Sequence, residues 1–291
     1  MQKQVLAIHD LSCVGRCSLT VALPVLSAAG LHVSVLPTAL LSTHTGEFTG
    51  YTNLDLTQEM AKIYAHFQTL PLRFDGLYSG FLGSWEQLAL VEDVFAHYRR
   101  ADTLLLVDPV MADHGKLYAT YTETLARDMG RLCRQADVIV PNLTEAAILL
   151  EASYREQPSF PQVEAMLRAL HKRYGCRQAV ITGILRDGLL GAAAYDAQRD
   201  CVFFHGQPPM DHVFYGTGDV LASALLAGLA SFSAYRGSKS RITSHSSFMV
   251  ISSFAGFRAP FHPNNAQRGK TLQKICKFTG PRSFPAVFSF P

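Results

Sequence analysis

A doubly wound, mostly parallel α/β sheet flanked by helices is the fold class this sequence predicts, and three observations predict it. Short runs of β-branched and aliphatic residues alternate along the chain with stretches whose apolar positions fall three and four apart, which are the strand and helix patterns in turn. Segments of these lengths in that order build right-handed βαβ units, whose helices cover both faces of the sheet. A glycine-rich turn, Gly216-Thr217-Gly218-Asp219, then closes the series directly before a last apolar helix. The 291 residues, 48% of them hydrophobic, suffice to bury such a core.

In chain order, VLAIH (5–9), HVSVLPTAL (32–40), FDGLYSG (74–80), TLLLVDPVM (103–111), DVIVPN (137–142) and QAVITG (178–183) read as strands. Residues 17–29, 57–69, 84–100, 120–134, 143–151 and 161–174 read as helices, with Ser84 and Asn142 as N-caps. LLGAAAYD (189–196) and CVFFHGQ (201–207), joined by a short polar turn, read as an antiparallel hairpin that extends the sheet. The final helix starts at 216–218 and runs through VLASALLAGLA, which completes a domain of residues 1–231.

Composition narrows the class. No apolar run approaches the roughly 20 residues of a membrane span, and MQKQVLAIHD lacks the pattern of a secretory signal, so a cytoplasmic protein without a membrane partner is expected. Six scattered cysteines, of which only Cys13 and Cys17 lie close, predict reduced thiols rather than a zinc site. All 23 acidic residues lie at or before Asp219, so residues 1–230 carry 17 basic against 23 acidic side chains, a net of 17 − 23 = −6. Residues 232–291 are basic, rich in Ser and Phe, and without helical or alternating period. One reading is a basic tail for nucleic acid or membrane; the favoured one is a stretch not selected for folding, because nine phenylalanines suit neither disorder nor a solvated tail.

The chemistry concentrates at strand ends. Gly216-Thr217-Gly218-Asp219 gathers backbone N–H groups and a helix N-terminus around one point, which suits a phosphate; the plainer reading makes Asp219 a helix cap. Asp108 and Asp113 in DPVMADHGKLY, and Asn142 and Glu145 in PNLTE, fall where an open α/β sheet binds its ligands. Carboxylates gathered there suit Mg²⁺ bridging nucleotide phosphates, although Asn142 and Glu145 also have the spacing of a capping box. Neither a Walker loop nor a dinucleotide-binding G-x-G-x-x-G stands in strand-to-helix context.

These motifs together, GTGD at a late helix, DPVMADHGKLY, PNLTEA, VITG and a first strand ending in HDLSCVG, resemble the ribokinase-like superfamily over about residues 4–230, specifically its pyridoxal/pyridoxamine kinase branch. The resemblance implies phosphorylation of a vitamin B6 hydroxymethyl group by ATP, with Asp219 as general base and the amides of Gly216, Thr217 and Gly218 as anion hole. It implies that Asp108, Asp113 and Glu145 organise Mg²⁺ and triphosphate, with Asp113 and Glu145 at the metal, and that Asn142, Thr182 and Gly183 lie at the nucleotide. For the acceptor it implies Ser12, Thr45 and Phe81, the last standing where pyridoxal kinases carry a Tyr. GEFTGYTN (46–53) reads as a flap or as a surface loop, and family habit implies a homodimer. GFLGS is also near the matching segment of hydroxymethylpyrimidine kinases, which makes that thiamine-synthesis activity the alternative. Residues 232–291 do not resemble the family's segment after the GTGD helix, and a catalytically defective B6-binding homologue with a disrupted nucleotide site is the further alternative.

Overall fold

The computed structural model describes residues 2–212 and 214–235. In chain order the elements are β1 (Gln4–Val14), α1 (Leu19–Ala28), β2 (His32–Thr43), β3 (Asn53–Asp55), α2 (Thr57–Gln68), β4 (Gly76–Ser79) and α3 (Trp85–Tyr98). They continue as β5 (Leu104–Val107), β6 (Ala112–Asp113), β7 (Lys116–Leu117), α4 (Glu123–Cys133), β8 (Val138–Ile139), α5 (Leu143–Leu149) and α6 (Phe160–Tyr174). The last are β9 (Gln178–Arg186), β10 (Leu189–Asp196), β11 (Cys201–Gln207) and α7 (Thr217–Tyr235).

Nine strands form one sheet in the order β11-β10-β9-β8-β5-β4-β1-β2-β3. The six strands from β9 to β2 run parallel, and β3 at one edge and the β10–β11 hairpin at the other add antiparallel pairs. One face buries Leu6, Ile8, Leu77, Leu105 and Val107 under α2 to α6; the other buries Val5, Tyr78, Leu104 and Leu106 under α1 and α7. Apolar side chains thus leave both faces of the central strands, which is why those strands read as unbroken hydrophobic runs.

Boundaries differ from expectation where proline and local pairing intervene. The strand at 103–111 shortens to Leu104–Val107 and that at 137–142 to Val138–Ile139, ahead of Pro109 and Pro141, because proline has no N–H for the ladder. β1 instead outruns the expected 5–9, since it keeps pairing with β2 to Val14↔Thr43. The edge strand β3 and the small β6–β7 hairpin carried no periodic signal, being three and two residues long per strand. α7 continues to Tyr235, across the expected boundary at 231, and residues from 236 onward, which include most of the basic Ser/Phe-rich segment, lie outside the described residues.

One fully buried polar side chain ties the β4–α3 connection to the sheet. Gln87 accepts from Gly83 N at 2.8 Å and donates to Thr38 O, Asp55 Oδ2 and Thr57 Oγ1 at 2.9, 3.1 and 3.0 Å. Gln87→Leu leaves the buried Thr38 carbonyl without its donor and cuts the tie to the more exposed Asp55 and Thr57, and is expected to cost about 1–3 kcal/mol, read as a lower midpoint in urea unfolding.

Candidate active site

The sheet opens at β1. β1 and β4 pair only as far as Ile8↔Ser79, whereas β1 goes on with β2, and the chain leaves β1 toward β2 on one side and β4 on the other. Such a reversal of strand order leaves a crevice beyond the carboxyl ends of the two strands. Asp10 sits where the β1–β2 ladder slips, between the pairs His9↔Pro37 and Leu11↔Leu40, a distortion that re-aims side chains. It is 5% exposed and accepts a hydrogen bond from Ser12 Oγ at 3.2 Å; Ser12 is itself buried. Phe81, just past β4, sets its ring edge-on to Tyr121 at 5.9 Å, and its carbonyl accepts from Thr38 Oγ1. Thr45 lies on an exposed turn. Its buried neighbour His44 packs on Phe48 and Tyr215, with ring centroids 5.0 and 4.6 Å apart, and so anchors the root of the glycine-punctuated loop expected as a flap.

α7 delivers Asp219 to the same crevice. Gly216 holds φ +73° and its carbonyl accepts the first intrahelical bond, from Val220 N at 3.0 Å. A helix's first N–H groups have no intrahelical acceptor, so those of Thr217, Gly218 and Asp219 form a positive end able to hold an anion. A Cβ on Gly216 would stand 2.0 Å from Arg16 O, which shows how tightly this turn lies against the β1–α1 loop. From that loop Ser18 N donates to Asp219 Oδ2 at 2.9 Å, with Ser18 held at φ 50°. Burial pushes the Asp219 carboxyl up to about 6; the Ser18 amide draws it down and Asp10 pushes it further up.

α5 builds the facing wall. Asn142 and Glu145 make the reciprocal capping box that their spacing allowed: Glu145 N donates to Asn142 Oδ1 at 3.0 Å and Asn142 N to Glu145 Oε2 at 2.8 Å. The same end grips the preceding loop, since Met111 N donates to Glu145 Oε1, Asn142 Nδ2 to Ala112 O and Gly115 N to Thr144 Oγ1. The loop folds into the β6–β7 hairpin, whose two turn residues, His114 and Gly115, have φ 48° and 75° as a type I′ turn needs. Asp113 stands half-exposed on that hairpin, and Asp108 is buried where β5 ends. Burial lifts the Asp108 carboxyl well above its usual range, and Glu145 and Asp219 lift it further; Glu145 is raised chiefly by burial. Burial pushes the Tyr118 phenol up, and Glu145, Asp113, Asp108 and Asp219 push it further. Thr182 bridges to Asn142 and its N–H donates to Pro141 O, and Gly183 follows at φ +74° with open space beside it, as a bulge in the β9–β10 ladder.

Asp108, Asp113, Asn142, Glu145, Thr182, Gly183 and the 216–219 turn therefore share one rim, while Ser12 and Phe81 lie at the β1–β4 crevice and Thr45 on its outer loop. Sequence reasoning passed over Asp10, Ser18, His44, Tyr118 and Tyr215. Asp10 was within reach, since the rule that singled out Asp108, a carboxylate where a buried strand ends, applies to it equally. Among the described residues no three His, Cys, Asp or Glu side chains form a protein-only metal cage. That donor set still fits Mg²⁺, which takes few protein oxygens and completes its shell with water and phosphate, and the mutual repulsion of Asp108, Glu145 and Asp219 is what a divalent cation relieves.

The phosphomethylpyrimidine kinase family pattern matches residues 22–240. The chain belongs to this family. Relatives place it near the B6 branch: it is 30% identical over 247 residues to a pyridoxine/pyridoxal/pyridoxamine kinase of Bordetella avium, covering 77% of each chain. A Schizosaccharomyces pombe relative carrying a provisional pyridoxal kinase name is 26% identical over 204 residues, and the match spans 67% of this chain but only 58% of that protein's length. Among solved structures, a Bacteroides thetaiotaomicron protein provisionally named a phosphomethylpyrimidine kinase, determined with pyridoxal, matches with TM-score 0.77 and 33% identity over 90% of this chain and 91% of its own. The Lactobacillus plantarum pyridoxal kinase matches with TM-score 0.74 and 33% identity over 88% and 89%. The ribokinase-like fold expected from the motifs is thereby established for the family member described here.

Proposed function

We propose that this protein transfers the γ-phosphoryl group of ATP to the hydroxymethyl group of pyridoxal, pyridoxamine or pyridoxine. The observation that carries the reading is Asp219, fixed by Ser18 N–H at the anion-binding start of α7 and facing the crevice beside Asp10. The substrate hydroxyl oxygen attacks the γ-phosphorus, Asp219 takes its proton, and the bond to the β-phosphate oxygen breaks, leaving ADP with that electron pair. The amides of Gly216, Thr217 and Gly218 stabilise charge that builds on the phosphoryl oxygens. Asp108 and Asp113 are the side chains to hold Mg²⁺; Glu145, whose oxygens already accept from Asn142 and Met111, acts on it through water. When bound, Mg²⁺ supplies charge neutralisation across the phosphates. Thr182, Gly183 and Asn142 border the nucleotide, and Phe81 offers a ring face to the acceptor without the phenol of a Tyr. The family match favours hydroxymethylpyrimidine as the second acceptor to try.

The test is ADP release from MgATP with each B6 vitamer and with hydroxymethylpyrimidine, the phosphorylated product being identified by mass. Product from a vitamer is the expected result; vitamer binding without turnover supports the defective-homologue reading, and turnover of the pyrimidine alone supports the second. Because the base must be ionised, kcat/KM is expected to fall about tenfold per pH unit below about 6 and to level off above it, following the raised Asp219 carboxyl. A profile flat from pH 5 to 8 removes Asp219 from the role of base.

A further inference from the structure

Five acidic side chains are buried among the described residues: Asp10, Asp108, Asp137, Glu145 and Asp196. Four have evident work. Asp137 accepts from Leu105 N and meets Arg99 and Arg177, Asp196 accepts from the turn N–H groups of Gln198 and Arg199, Glu145 closes the capping box, and Asp108 faces the phosphate end. Asp10 does not fit this series. Burial raises its carboxyl, and among the described residues the groups that offset it are the side chains of Ser18 and Ser12 and its own backbone amide, with no cationic side chain. A carboxylate has about four acceptor positions, so two hydroxyls leave it able to take a strong donor from a ligand. A buried charge without a cation is costly, and a site is built this way where the substrate brings the donor.

Its surroundings say which donor. Asp10 lies in the β1–β4 crevice on the same side as Asp219, whose carboxyl it pushes up, and Ser18, whose amide donates to Asp219, stands beside both. Ser12, which the resemblance assigns to the acceptor, points its hydroxyl at Asp10.

We infer that Asp10 is the specificity residue for the acceptor ring: its carboxylate accepts a hydrogen bond from the protonated nitrogen of a 3-hydroxypyridine while Asp219 serves the hydroxymethyl group, and Ser12 orients Asp10. This rests on the B6 kinase reading above. A 3-hydroxypyridine transfers its hydroxyl proton to its ring nitrogen at neutral pH and so presents an N–H⁺. An aminopyrimidine keeps its ring nitrogens as acceptors, which face a carboxylate unfavourably. The pair of acceptors that the family admits is thereby discriminated by one side chain.

The experiment is calorimetric binding of pyridoxamine and of its carbocyclic analogue, with C–H in place of the ring nitrogen, to the full-length wild type and to Asp10→Asn. The wild type is expected to prefer pyridoxamine by about tenfold or more, as a hydrogen bond between charged partners gives, and Asp10→Asn to lose most of that preference with an unchanged or higher Tm, since a buried charge is removed. Asp10→Ser provides the same comparison should the Asn amide disturb Ser12. A preference that survives in both variants, or a wild type indifferent to the ring nitrogen, overturns the inference. Product formation is read separately: vitamer preference without phosphorylation upholds Asp10 and rejects the kinase, phosphorylation with an Asp10-independent preference does the reverse, and a wild type that binds no vitamer rejects both.

Discussion

Asp219→Asn lowers kcat for vitamer phosphorylation by about 10²–10⁴-fold while the Kd for the vitamer stays close to wild type. Asn keeps an oxygen that accepts from Ser18 N, so the β1–α1 loop and the start of α7 stay in register. What disappears is the proton acceptor. The Tm is expected not to fall, because the raised carboxyl shows that the charged form is disfavoured by burial and by Asp10. Single-turnover phosphoryl transfer measured beside Tm separates a lost base from a lost fold. Unimpaired transfer in this variant would remove the proposed mechanism.

Gly216→Ala has the second large effect, and it is structural as well as kinetic. At φ +73° a Cβ costs roughly 1–2 kcal/mol by itself, and here it would also stand 2.0 Å from Arg16 O, a backbone atom that cannot swing aside. The turn must move off the β1–α1 loop. Loss of about 2–4 kcal/mol in unfolding free energy is expected, with activity lost beyond what that destabilisation explains, because the anion-binding amides move with the turn. Gly218→Ala is the contrasting measurement: nothing lies within 4 Å of the added methyl, so its stability should hold. Equal stabilities for the two variants would show that the close approach at Gly216 is not needed by the fold.

Much of this molecule was legible in the sequence because its signals are local. The β10–β11 hairpin lies at the residues read as two runs joined by a polar turn, α2 and α6 fall within one residue of expectation, and Ser84 and Asn142 cap their helices with the side-chain bonds their positions implied. Strands cut short by Pro109 and Pro141 were drawn too long because the apolar run continues past the last ladder bond. The capping box shows a different limit. Spacing alone left Glu145 as either cap or metal carboxylate, and the structure makes it a cap whose buried oxygens also hold Met111, while it still acts electrostatically on Asp108.

By itself, the sequence determined the order of the longer strands and helices, the glycine-rich turn at 216–219 and the carboxylates at strand ends, since each is written in adjacent residues and in the 2.0 and 3.6 periods of strand and helix. Only the tertiary structure decided which of these meet. Ser18 reaches Asp219 across 201 residues, Asp10 is buried where β1 and β4 part, His44 rather than Thr45 turns inward, and four carboxylates push the Tyr118 phenol up. Those contacts depend on how βαβ units stack into one sheet and on the low dielectric they enclose. No local pattern encodes either, and both set the protonation of the groups on which the proposed chemistry rests.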